Sequence, residues 1–254
     1  MFFKKKIVCP ILEQDKEWLD EALLWLEQEL GQEYLYHKEI LYPSSENFEI
    51  KSINEEADVD SLVERISHIM EVSTGKLQVK YYEEPSQIEF SEGLATEQGN
   101  YQKTTGKYIY HSDGSSEILI EKKQLAQPIS LVATIAHELA HVKLISNNLI
   151  DENDEYLTDL LAIASGFGIF TANTAVPNMK TWSGSTHSGW KVIGGEGYLP
   201  YEVQSFALAM LSIYWGNEDD EWKNYLDEKV YKMVNKSFTY LSSVEAKPQF
   251  ITGV

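Results

Sequence analysis

The chain has 254 residues, 43 % of them hydrophobic and with 15 Tyr and 6 Trp, which is ample for a packed core and excludes a disordered chain. Lys and Arg number 21 against 40 Asp and Glu, a formal charge of −19, which excludes the basic surface that nucleic acid or an anionic membrane demands of a partner. A single cysteine, Cys9, excludes an internal disulfide and a thiolate metal site.

The first residues, Met1-Phe2-Phe3-Lys4-Lys5-Lys6, are basic, but no apolar run of signal-peptide length follows them. No stretch approaches the roughly 20 apolar residues that cross a bilayer. The expectation is a cytoplasmic protein with no membrane partner. Residues 15–30 put Leu19, Ala22, Leu23, Leu26 and Leu30 on one helix face, and Gly31 stops the run. Residues 32–56 read as irregular, with a turn at Pro43. A second helix is predicted over 58–73, where Val59, Leu62, Val63, Ile66, Ile69 and Met70 recur at helical spacing. His37, His68 and His111 have no motif around them and read as ordinary histidines.

Three strands are predicted next, over 76–83, 107–111 and 116–121. The last two are joined by Ser112-Asp113-Gly114-Ser115, a hairpin signal. The polar stretch 84–106, with Gly93, Gly99 and Gly106, reads as a long surface loop.

Residues 128–146 read as a helix with Pro128 in its first turn, and this helix carries His137-Glu138-Leu139-Ala140-His141. Histidines four apart share a helix face, so both imidazoles can reach one metal ion. Glu138 is offset by about 100° and can lean over the metal without ligating it. Two neutral nitrogen ligands, a third ligand from elsewhere and a carboxylate base suit hydrolysis at Zn²⁺. Such a spacing also arises by chance. What lifts it above coincidence is the apolar helical flank and an acidic signal just downstream.

That signal is residues 151–166, a second amphipathic helix entered through an acidic turn, with Asp151 or Asn153 as an ordinary cap. Glu155 and Asp159 lie one turn apart on it, and Ala162 and Gly166 continue their face. Small residues there would let it close on Ala133, Ala136 and Ala140 of the histidine helix. Glu155 would then reach the metal, with Glu152 and Asp154 as the alternatives. Asp159 would sit behind a histidine and fix its ring. A calcium loop is excluded because Tyr156 stands where such a loop needs glycine. A metallopeptidase class with glycine and a third histidine on the same segment is excluded by Leu144 and Asn147.

His137-Glu138-x-x-His141 followed by Glu155-x-x-Thr158-Asp159-x-x-Ala162 resembles the gluzincin branch of the zinc metallopeptidases. The resemblance implies His137, His141 and Glu155 as zinc ligands, Glu138 as general base and Asp159 as support for the first histidine. It covers residues 128–170, and its linker is shorter than in thermolysin-like members. The run is also similar to a group of uncharacterised bacterial cytosolic proteins, which implies no substrate. The implied fold is α+β and zincin-like, a small mixed or antiparallel sheet packed on a helical bundle that carries the histidine helix. Residues 1–56 would form an N-terminal helical and irregular segment on the core, and 57–254 the catalytic domain. An edge strand of the sheet would offer a place for an extended peptide.

The glycine-rich segment 173–199, with Trp182, His187, Trp190 and Tyr198, is long for a structureless loop and reads as a wall or lid of the cleft. His187, Tyr198 and Tyr201 are the candidates for a second stabiliser of the oxyanion, Tyr198 first among them, and His187, Trp190 and Tyr201 are expected to line the substrate cleft. Pro200 opens a helix through Trp215, with Val203, Phe206, Met210 and Leu211 inward. A last helix starts in the acidic run 218–221 and packs Trp222, Leu226, Val230, Met233 and Phe238. The function expected is a Zn²⁺-dependent peptidase acting on a peptide or protein. The other two readings are an inactive zinc-binding interaction module and a small-molecule amidase.

Overall fold

The computed structural model describes residues 7–36, 38–50, 53, 55–83, 106–111, 113–177, 198–217 and 220–244. The predicted lid positions His187 and Trp190, most of the 84–106 stretch and His37 lie outside these residues. The architecture is α+β: eight α-helices and a three-stranded sheet among the described residues.

Helix α1 (Glu13–Leu30) buries Leu19, Ala22, Leu23 and Leu26 along one stripe. It ends at Gly31, whose φ of 88° a side chain would strain. A one-turn helix, α2 (Gln32–Tyr36), follows and buries Tyr34 and Leu35. Five residues are too few to show a helical period, so this stretch read as irregular. Helix α3 (Glu56–Ile69) starts at a capping box between Glu55 and Asp58. It stops short of the predicted residue 73 because Glu71 turns to φ 55°.

The sheet is mixed. Strand β3 (Ser116–Glu121) is central, parallel to β1 (Leu77–Tyr82) and antiparallel to β2 (Gly106–Tyr110). In the hairpin between β2 and β3, the Asp113 carboxylate accepts from the Ser115 amide at 2.9 Å, and Gly114 takes φ 79°. Gly106 is not loop, as its composition suggested. It is the first residue of β2 and is buried.

Helix α4 (Pro128–Ser146) is the centre of the molecule and touches α3, α5, α6 and β2. Its 19 residues are long and apolar enough to cross a membrane, which corrects the expectation that no stretch comes near that length. However, 78 % of its apolar window is buried inside the fold, so the hydrophobicity serves the core.

Helix α5 (Glu155–Ala162) passes into a π-turn over Ile163–Phe167 and then α6 (Gly168–Thr174). The break falls at Gly166, at φ 103°. A Cβ there would lie 2.5 Å from the Glu39 carbonyl oxygen, and the Gly166 carbonyl accepts from the Leu41 amide at 3.0 Å. Gly166 therefore admits the 39–41 segment and is not part of a small-residue face on α4. Helix α7 (Tyr201–Tyr214) buries Val203, Phe206, Met210 and Leu211 as predicted. The acidic run leads into a 3-10 turn (Glu221–Tyr225), and α8 (Glu228–Leu241) starts later, capped by Asp227. The buried side chains of α1, α3, β3 and α4–α8 form one contiguous core.

Candidate metal centre

The i, i+4 spacing on α4 brings His137 and His141 together, with their Nε2 atoms 3.1 Å apart. The partner comes from α5, and the way α5 starts decides which acid it is. Asp154 is the N-cap: its carboxylate accepts the Leu157 amide at 3.0 Å. Asp154 is thus committed to the helix end, and Glu152 is exposed. Glu155, the first residue of α5, puts Oε2 at 3.1 Å from His137 Nε2 and 3.2 Å from His141 Nε2. Its other oxygen accepts from the Asn153 amide group at 2.7 Å.

Both rings are held from behind by α5. His137 Nδ1 lies 2.8 Å from Asp159 Oδ1, and an ionised carboxylate only accepts, so Nδ1 carries a proton. Asp159 is buried, and its Oδ2 accepts the backbone amides of Tyr198 and Leu199, each at 2.7 Å. His141 Nδ1 lies 3.2 Å from the Thr158 hydroxyl. Each imidazole also has a tyrosine on its face. Tyr198 stacks on His137 at 5.7 Å and 18°, and Tyr108 of β2 stacks on His141 at 5.6 Å and 12°.

The electrostatics follow from crowding these groups in a dry place. Burial pulls His137 down, but its hydrogen bonds to the Asp159 and Glu155 carboxylates outweigh that and raise the ring above the usual histidine value. Burial would raise Glu155, yet the two histidines hold its carboxyl well below the usual carboxylate range. Burial leaves His141 below its ordinary value. His137 thus keeps a proton between two carboxylates, and a metal ion would take that proton's place.

His137, His141 and Glu155 are positioned to bind a metal ion. Their three donor atoms form a triangle with edges of 3.1, 3.1 and 3.2 Å. Tetrahedral zinc with ligand distances of about 2.0–2.1 Å needs edges of about 3.3–3.4 Å, so small shifts suffice. Two imidazoles and a carboxylate form a donor set that suits zinc.

No protein-family model, curated protein or solved structure matches this chain.

Glu138 is 4 % exposed, and its Oε2 has no hydrogen-bond partner among the described residues. Burial pushes its carboxyl up to about 7, with Glu155 adding to the rise and His137 opposing it. That is a proton acceptor poised near neutral pH. Tyr198 reaches the same cluster: burial and the carboxylates of Glu155, Glu138 and Asp159 push its hydroxyl up to about 12, so it stays a donor. Tyr201, predicted beside the cleft, opens α7, where burial, then Glu202 and Asp227, raise its hydroxyl above the ordinary value. An open groove of about 890 Å³ beside the cluster is lined by Trp25, Leu149, Ile150, Asp151, Glu155 and Tyr198 among others.

Three contributors had no role in the sequence reading: Gly106, Tyr108 and Thr158. Only Thr158 carried a signal, as the residue before Asp159 in the acidic motif. Gly106 and Tyr108 come from a strand some 30 positions upstream, and nothing local ties them to the histidines.

Proposed function

We propose that this protein is a zinc-dependent hydrolase of the gluzincin type that cleaves peptide bonds. The observation that carries the reading is the convergence of His137 Nε2, His141 Nε2 and Glu155 Oε2 beside the buried Glu138 carboxylate, whose Oε2 has no hydrogen-bond partner among the described residues. Zinc held by these three residues would supply a Lewis acid and lower the pKa of water at its free position.

Glu138 takes the proton of the attacking water on its free oxygen and returns it to the leaving amine. Its raised pKa suits both transfers near neutral pH. The Tyr198 hydroxyl, held protonated, donates to the carbonyl oxygen as negative charge develops there. Asp159 and Thr158 hold the histidines, and Tyr198 and Tyr108 cover their faces and exclude water. Strand β2 pairs on one side only among the described residues, with β3, and its other edge takes an extended peptide as an added strand. The same order of sheet, histidine helix and acidic helix supports the zincin-like reading.

Metal analysis and hydrolysis assays test this together. Wild type should bind one zinc per chain and cleave members of a peptide library. Glu138→Gln, which keeps the shape but cannot accept the proton, should keep the zinc and lose the cleavage. Cleavage of small amides but no peptide would move the activity to an amidase. Zinc binding with no hydrolysis of either would leave a binding module.

A further inference from the structure

We infer that Thr158 is the positioning residue that fixes the tautomer of His141, and so makes its Nε2 available to the metal. The inference rests on the metal-centre reading above. It comes from counting protons at one hydroxyl. Thr158 Oγ1 lies 2.7 Å from the Asp154 carbonyl oxygen, which can only accept, so the single hydroxyl proton points there. The same oxygen lies 3.2 Å from His141 Nδ1. With its proton already committed, it can only accept from that nitrogen. His141 therefore carries a proton on Nδ1 and, as the neutral ring, a bare lone pair on Nε2.

Among the described residues Thr158 is the partner of His141 Nδ1; Glu155 Oε2, 3.2 Å away, meets the ring at Nε2, the position a metal would take. Thr158 is fully buried, so water does not replace it, and His141 is 3 % exposed. Tyr108 lies flat on the imidazole, and its own hydroxyl is tied to Ser116 at 3.2 Å and Ser146 at 3.1 Å, so the ring is hindered from turning away. Without the Thr158 oxygen, an Nδ1 proton would be buried without an acceptor, at a cost of about 1–3 kcal/mol. The alternative tautomer would then gain ground, and its proton would sit on Nε2, where the metal belongs. The two histidines are thus oriented by different chemistry: His137 by a carboxylate, His141 by a hydroxyl whose donor is already spent.

Thr158→Val removes the oxygen and keeps the shape, while Thr158→Ser restores it. The Asp154 carbonyl also accepts the Thr158 backbone amide at 2.9 Å, a bond that neither substitution removes, so α5 should retain its first turn. Zinc affinity, read by competition with a chromophoric chelator, should fall by about 10–100-fold in Thr158→Val and recover to within a few-fold in Thr158→Ser. The visible spectrum of the Co²⁺-loaded protein should change in the valine variant and return in the serine variant. Long-range proton–nitrogen NMR on wild type should show His141 protonated on Nδ1, with or without metal. Unchanged affinity and Co²⁺ spectrum in Thr158→Val would overturn the inference, and so would an Nε2-protonated His141 in metal-free wild type. If wild type binds neither Zn²⁺ nor Co²⁺, the metal centre fails as a reading, and the NMR tautomer still decides the role of Thr158.

Discussion

Gly106 of β2 lies so close to Glu138 of α4 that a β-carbon on it would stand 2.5 Å from Glu138 Oε1 and 2.6 Å from Thr134 Cγ2. The strand and the helix meet at this point because position 106 has no side chain. The carboxylate occupies the space that a larger residue would fill, and Thr134 is held in place by the Gln124 amide, which donates to its hydroxyl at 2.8 Å.

Gly106→Ala should therefore push the Glu138 carboxylate aside without touching the metal ligands. We expect unchanged zinc content and a fall in kcat of about 100-fold, the usual cost of misplacing a reacting group by about 1 Å. Metal analysis alongside steady-state kinetics checks this. Full activity in the alanine variant would mean that Glu138 is not held by β2.

Asp159 serves two sets of donors at once, with Oδ1 on His137 and Oδ2 on the Tyr198 and Leu199 amides. An amide has only one accepting oxygen, so Asp159→Asn must abandon one side and turn an N–H towards it. Zinc affinity should drop by about 10–100-fold. Glu155→Ala should cost more, because it removes a ligand. Chelator competition on the two variants ranks them, and a stronger effect from Asp159→Asn would remove Glu155 from the ligand set.

Lys143 gives a test of pH dependence away from the metal. It is 6 % exposed on α4, donates to the Met70 carbonyl at 3.0 Å, and lies 4.2 Å from the centre of the Tyr34 ring. Burial pushes its amine down to about 8 from 10.5. Between these values the unfolded chain binds more protons than the folded one, so this group makes stability rise with pH across the window and lowers it as pH falls through 8. Urea unfolding of wild type minus Lys143→Met should rise between pH 8 and 10.5 and be flat below pH 8. A flat difference throughout would show that the amine is not desolvated.

Much of this molecule was legible without coordinates, because its signals are local. The faces of α1, α3, α7 and α8 repeat at the helical period, and the hairpin before β3 announces itself by Asp113 and Gly114. His137 and His141, like Glu155 and Asp159, are four residues apart, so helix geometry alone puts each pair on one face. The short helix α2 and the π-turn at Gly166 were not legible: one has too few residues for a period, and the other is set by contact with Glu39 and Leu41.

Spacing along the chain alone places His137, Glu138 and His141 on one helix and an acidic helix just after it, since backbone geometry acts over three or four residues. That Glu155 is the acid which reaches the histidines follows from the packing of α5 on α4, because Asp154 is consumed in capping α5. The same packing sets Gly106 against Glu138 and lays Tyr108 and Tyr198 over the imidazoles. Those contacts join elements far apart in the chain. They are set by how helices and sheet close around a shared core, and no local period records that.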